Sequence, residues 1–496
     1  MSRPTFSSRL GLILSMLGIA VGTGNIWRFP RIAAQNSGDE GAGAFLVAWV
    51  VCLLLWSVPL IIAEYALGRK GGMGVIGTFA RVGGEGKAWM GAFVGFVATA
   101  IMFYYSVVTG WCVFYLMQTV LQPLPQSTEA ATVIWEGFQG SAWPVLFHAV
   151  AMLLGGWAVW RGVQSIERVN KVLMPTLLGI VVLSLLRTVF FQPGSSTGIA
   201  FLFTPQWETL VQPKLWLEAL TQNAWDTGAG WGLILTYAAY MGHREAIVRN
   251  SFITGVGNNM VSMMAAIIIF GTVFAILGQG LSKAEVLEVM KQSGPASTGL
   301  TFIWIPQLFA RMPLGNLFAI LFFLGLSFAA FTSLISMIEL AVRALCDLGF
   351  TRSRAIVLTG SVGFMLGLPS AFNLTFFQNQ DFVWGIGLMI SGGLVAYLVL
   401  HYGVSRFRQE VVDAVPGDWR AGRGWELLIG VLVPVQVVAL LAWWFYLSAT
   451  EYAPQTWFNP LDPYSVMTCL VQWGLAAAIF LALNRWLARK TLERAR

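Results

Sequence analysis

The run from Gly18 to Pro30, GIAVGTGNIWRFP, limits what the rest of the chain can be. It lies inside a long apolar segment, roughly residues 10–34, and crossing hydrocarbon takes about 20 apolar residues. A plain anchor would carry leucines there. This one carries Gly18, Gly22, Gly24, Asn25 and Arg28. Glycine weakens a helix interior by about 1 kcal/mol relative to alanine. An arginine at mid-membrane costs at least about 2.5 kcal/mol on insertion scales. The pattern predicts a helix broken near mid-membrane. Non-helical backbone survives at that depth only when buried in protein or lining a watery cavity. Its freed carbonyls and amides can then bind an ion and a polar solute.

Composition extends this to the whole chain. Of 496 residues, 57% are apolar and 11% charged, with a mean hydropathy of +0.70. That is a polytopic membrane protein with no room for a soluble domain between its apolar segments. The 22 tryptophans suit interfacial belts and bundle packing. Cys52, Cys112, Cys346 and Cys469 show no pairing or metal spacing, and His148, His243 and His401 read as structural or interfacial. No small-residue cleavage site follows a short apolar core, so no removed signal peptide is expected.

The net charge of +7 does not indicate a nucleic-acid binder, because Lys and Arg concentrate in alternate loops. Arg69, Lys70, Arg81, Lys87, Arg161, Arg168, Arg343, Arg352, Arg354, Arg406 and Arg408 lie in one set, with the C-terminal tail. The opposite set holds only Arg187, Lys214, Lys283, Lys291 and Arg311. The positive-inside pattern puts both termini in the cytoplasm, in a bacterial-type plasma membrane.

Hydropathy predicts an all-α protein of twelve spans, at roughly 10–34, 43–68, 89–121, 142–160, 171–191, 215–241, 252–279, 313–346, 354–372, 382–403, 427–449 and 465–487. The loop from Lys283 to Pro313 contains AEVLEVMKQ, GPASTG and IWIPQLFARMP, and reads as a helical hairpin over the outer face. Span six, NAWDTGAGWGLILTYAAY, is interrupted like span one: Gly228, Gly230 and Gly232 fall beside Asp226. Spans one and six each open a group of five. Paired interruptions in corresponding places point to an inverted-repeat transporter with its site at the breaks. The expected units are 1–191, 192–403 and 404–496, the last holding spans eleven and twelve and the tail.

On these residues the chain resembles the neurotransmitter:sodium symporter family. The stretches that carry the resemblance are RLGLILSMLGIAVGTGNIWRFP, IMFYYSVVTGW, ITGVGNN, FAAFTSLISMIE and NQDFVWG. It implies the LeuT-type fold, a 5+5 inverted repeat with helices one and six broken. It also implies Na+-coupled uptake of an amino acid by alternating access, with one or two Na+ ions, no catalytic residues, and a monomer or weak homodimer in the lipid bilayer. A first sodium site would use Ala20, Asn25, Asp226 and Asn258; oxygen ligands suit a hard cation. A second would use Gly18, Val21, Ala329, Thr332 and Ser333. The solute would lie among Ala20, Gly22, Thr23, Gly24, Ile101, Tyr105, Trp225, Asp226, Gly228, Trp231, Ser333 and Met337. Gly22 stands where monoamine carriers of the family have an aspartate, which favours a substrate bringing its own carboxylate.

The resemblance also implies gates. Arg28 and Asp381 would pair across the outer vestibule above a lid of Tyr105 and Trp225. Arg3 and Asp347, with Tyr240 beside them, would close the cytoplasmic side. Glu64 would support the broken part of span six, and Glu339 would face the inner cavity. One departure concerns chloride. Chloride-dependent relatives ring the anion with a tyrosine, a glutamine, an asparagine and two hydroxyls. Gln222, Asn258 and Ser262 match, but Trp49 replaces the tyrosine and Asp226 a hydroxyl. Two adjacent negative charges in a dry site are costly, so Asp226 is expected to supply the charge and chloride not to be required. The competing reading of Asp226 is a cap on the broken helix.

Other classes fit less well. A proton-coupled or amine-selective carrier would use Asp226 as titrating group or counter-charge. A channel would carry filter loops or rings of like charge. An enzyme would need a nucleophile, metal or carboxylate constellation that the spacing does not offer.

Overall fold

The structure is a computed structural model that describes residues 5–242, 244–291 and 299–495. Helices make up almost all of it. The first span is α1 (Arg9–Ala20) and α2 (Gly24–Gln35), bent by 54°. Then come α3 (Gly43–Gly71), α4 (Glu85–Leu121), α5 (Thr128–Gln139), α6 (Trp143–Ala158) and α7 (Val163–Phe191). The next group is α8 (Pro213–Asp226), α9 (Leu233–Ala238), α10 (Val248–Leu277), α11 (Gly315–Asp347), α12 (Arg352–Phe372) and α13 (Leu374–Tyr402). The chain closes with α14 (Gly422–Tyr452) and α15 (Val466–Glu493).

Among the described residues nine helices are long and apolar enough to cross a membrane, and up to eleven if two bent pairs count as spans. Sequence analysis expects twelve. The difference is span six, whose halves have 14 and 6 residues and are separately too short. The second bent pair also corrects an expectation: α5, at 70° to α6, precedes the expected span 142–160. Its Glu129 and Glu136 hide a helix that buries Ala131, Trp135 and Phe138.

Prolines shape several spans. Wide, π-helical turns at Gly24–Arg28, Leu53–Ser57, Leu300–Trp304 and Leu428–Leu432 each end two residues before a proline: Pro30, Pro59, Pro306 and Pro434. Proline lacks an N–H and its ring clashes with the carbonyl four residues back. Widening the preceding turn relieves both problems without breaking the helix.

Burial ranks the helices. In α4, 78% of the apolar window is packed inside the protein, against 28% in α14 and 22% in α15. The outer helices therefore present apolar sides outward, where a bilayer would lie. The 283–313 region forms helices at Lys283–Lys291 and Leu300–Ala310. Phe302 stacks on Trp135 of α5 at 5.6 Å and meets Trp27 of α2 at 5.9 Å. Most of the expected GPASTG turn lies outside the described residues.

Candidate functional site

The break in span six is built from backbone. After Asp226 the chain passes through Gly228, Gly230 and Gly232 at φ of 70°, 85° and 78°. This left-handed region favours glycine, which has no Cβ to clash. Space also requires it: a Cβ on Gly230 would stand 2.6 Å from Gly392 Cα. Glu64, fully buried on α3, accepts from Gly232 N–H at 2.7 Å and Leu235 N–H at 3.3 Å. It thereby satisfies the open N-terminus of α9, as its expected supporting part requires. Ser391 donates to the Gly230 carbonyl at 2.5 Å.

The break in span one is looser. Val21 is extended (φ −77°, ψ 100°). The Gly22 N–H, which would close the next turn on Gly18, donates to Asn25 Oδ1 at 2.7 Å. Tyr105 accepts at its hydroxyl from Thr23 N–H at 3.3 Å and lies 3.2 Å from Thr23 Oγ1. A Cβ on Gly24 would meet nothing within 4 Å, so its backbone faces open space.

A cavity of about 830 Å³ reaches down to both breaks. Every position expected at the solute site lines it, from Ala20 and Gly22 to Ser333 and Met337. Its mouth carries Asn36, Lys214, Glu451 and Tyr464, on the side poor in Lys and Arg. Arg28 and Asp381 also line it, but among the described residues no ion pair joins them. The Arg28 guanidinium lies over the Trp225 ring at 4.5 Å instead. Trp225 meets Trp231 edge-on at 6.4 Å, and no ring contact joins Trp225 to Tyr105 among the described residues. The expected outer gate and lid therefore stand apart, across an open cavity.

At the cavity floor, oxygens converge. The position of the Asn258 amide oxygen is 3.0 Å from the carbonyl oxygens of both Ala20 and Asp226. It also accepts from Asn25 Nδ2 at 2.8 Å. With its nitrogen turned toward them, the amide donates to both carbonyls and ties the two breaks to α10. Asp226 accepts at one carboxylate oxygen from Gln222 (3.2 Å) and Ser262 (3.3 Å), and among the described residues its other, buried oxygen has no partner. Trp49 packs on Phe29 at 4.2 Å, and among the described residues its indole N–H has no partner.

A second group lies beside Gly18 and Gly22. Thr332 and Ser333 are buried on α11 beside Ala329. A Cβ on Gly18 would stand 3.2 Å from Thr332 Cβ, and one on Gly22 would stand 2.9 Å from Ser333 Oγ. Thr332 donates to the Ala329 carbonyl at 3.0 Å, whereas the Ser333 hydroxyl lies beside the Tyr105 hydroxyl. Val21, fully buried, ends α1 at the same level.

The arginine-rich end is closed. Asp347 accepts from Gly74 N–H at 2.5 Å and pairs with Arg343 at 3.1 Å. Its expected partner Arg3 lies outside the described residues. Tyr240 donates to Glu339 at 2.6 Å, and Arg352 pairs with Glu339 at 2.5 Å. Glu339, expected to face the inner cavity, is fully buried in this closed arrangement. Sequence reasoning also gave no role to Arg31, Glu218 and Tyr104, which line the cavity. The two charged ones had a legible signal, an ionisable side chain inside an apolar span.

The family model described as the sodium:neurotransmitter symporter family matches residues 3–144 and 136–493. An uncharacterized sodium-dependent transporter of Methanocaldococcus jannaschii is 29% identical over 464 residues, covering 89% of this chain and 90% of the relative. The sodium-dependent serotonin transporter of Drosophila melanogaster is 27% identical over 486 residues, covering 88% and 76%. Among solved structures, that of MhsT in complex with L-phenylalanine superposes with a TM-score of 0.76 at 28% identity, covering 89% of this chain and 99% of that one.

Proposed function

The chain belongs to the sodium:neurotransmitter symporter family and is a sodium-dependent secondary transporter of LeuT-type fold; on that premise we propose that it imports an amino acid with one or two Na+ ions, without requiring chloride. The observation that carries this reading is that both breaks meet α10 at the floor of the cavity, where the Ala20 and Asp226 carbonyls each lie 3.0 Å from the Asn258 side-chain amide. Backbone carbonyls and side-chain amide oxygens of this kind are what a hard monovalent cation takes, and the Asn258 amide would turn its oxygen to one. It also joins both breaks to α10, so an ion held there draws three helices together.

The solute's carboxylate would meet the amides at Thr23 and Gly24 and the Tyr105 hydroxyl, at the positive N-terminal end of α2. Its amine would meet carbonyls at Ala20, Trp225 and Asp226. Ile101, Gly228, Trp231 and Met337 would enclose its side chain. MhsT was solved with L-phenylalanine, which supports an amino acid here. Gly22, beside Ser333 and Tyr105, offers an amine no counter-charge. The buried Asp226 carboxylate, held by Gln222 and Ser262, supplies the negative charge that an anion would otherwise bring.

The cavity opens at one end while Arg352–Glu339 and Arg343–Asp347 close the other. Alternating access then means closing Arg28 toward Asp381 and parting the pairs below. Thermal-shift screening of the purified chain against amino acids and amines, in Na+ and in K+, tests the reading. The expected result is an amino acid that stabilises only in Na+, with uptake unchanged when gluconate replaces chloride. Stabilisation by amines irrespective of Na+, or uptake abolished without chloride, overturns it.

A further inference from the structure

The α7 face turned to α1 carries Glu167 and Asn170, three residues apart and so on one side of the helix. Their surroundings differ. Glu167 accepts from Ser7 N–H, Ser7 Oγ, Ser8 Oγ and Lys171 at 2.7–2.9 Å. Asn170 is fully buried, and among the described residues neither its oxygen nor its nitrogen meets a partner. Across the seam, α1 presents Gly11 against Glu167 and Gly18 against Asn170, with a Gly18 Cβ position 3.5 Å from Asn170 Oδ1. Ser15, between them in the helical repeat, is also fully buried with an unpartnered hydroxyl.

Unpartnered buried polar groups are few in folded chains, and each calls for a ligand, a water or an ion. Fixing one in an apolar seam is costly, and a leucine of similar size would pack there without that cost. The position matters as much as the orphaned atoms. Asn170 and Thr332 flank the same glycine, the one whose carbonyl lost its helical donor when Gly22 turned to Asn25. We propose that the Asn170 carboxamide oxygen is a further ligand of the cation held between Gly18 and Thr332–Ser333. This rests on the reading of those residues as a second cation site. Oxygen ligands suit a hard cation; Gly18, Val21, Ala329, Thr332 and Ser333 would offer five, and Asn170 would add a further one. Ser15 places the next oxygen along the seam toward the arginine-rich end.

The test titrates thermal stability of the purified full chain with NaCl at constant ionic strength, KCl replacing it. Asn170→Leu and Thr332→Ala are compared with wild type. The expected result for Asn170→Leu is a rise of at least about tenfold in the Na+ concentration giving half the stabilisation, a loss of about 1.4 kcal/mol of ion binding. Its melting temperature without Na+ stays equal or rises, because an unsatisfied amide has been removed. Asn170→Ala, which introduces no bulk to misfit, is read in the same way. If Thr332→Ala shifts the titration and the Asn170 variants do not, the second site stands and the role of Asn170 falls. If none of them shifts it, the second-site reading falls as well.

Discussion

Span six breaks through three left-handed glycines, whereas no residue from Gly18 to Arg28 has a positive φ. The break at span six is locked by backbone geometry, by Glu64 on the α9 N–H groups and by Gly392 against Gly230. The break at span one is held by side chains: Asn25 on Gly22, Tyr105 on Thr23. Hydrogen bonds of that kind can be exchanged for bonds to an ion or a carboxylate; a packed glycine cannot be exchanged for anything. The difference makes span six the fixed frame of the cavity and span one its adjustable wall.

The largest effect is expected at Gly230. Gly230→Ala puts a Cβ at φ 85° and 2.6 Å from Gly392 Cα. It should cost about 3 kcal/mol or more in thermal stability without ligand. A wild-type melting temperature would break the contrast at its strongest point. Next is Glu64→Ala, which strips the acceptor from two buried N–H groups at about 1–3 kcal/mol each. Glu64→Gln should recover part of this, and an alanine variant as stable as wild type would remove the brace from the argument. The smallest is Gly24→Ala, whose methyl enters open space. Its stability should change by under about 0.5 kcal/mol, while amino-acid stabilisation weakens because the methyl occupies the cavity. A loss as large as that of Gly230→Ala would make the two spans alike.

Both breaks were legible because glycine, asparagine, aspartate and arginine are conspicuous inside apolar runs. That signal located Gly18 to Arg28 and Asp226 to Gly232, and with them the cavity floor. The prolines that follow wide turns were equally visible and went unread. Partnerships were not legible. That Glu339 pairs with Arg352, or that Asn170 pairs with nothing among the described residues, depends on which faces meet across helices, and hydropathy carries no record of that. Span six shows the opposite failure. The residues that make it functional cut it into pieces too short to register by length in the folded chain.

The Glu339–Arg352 pair also has a meaning in time. Glu339 is fully buried, and the Arg352 side chain is 27% exposed. Leaving one partner of a buried pair uncompensated costs about 3–5 kcal/mol. A conformation that parted them dry would be rarer by roughly a hundredfold to several thousandfold. Any opening of that end that separates the pair is therefore expected to bring water to Glu339 as it does so.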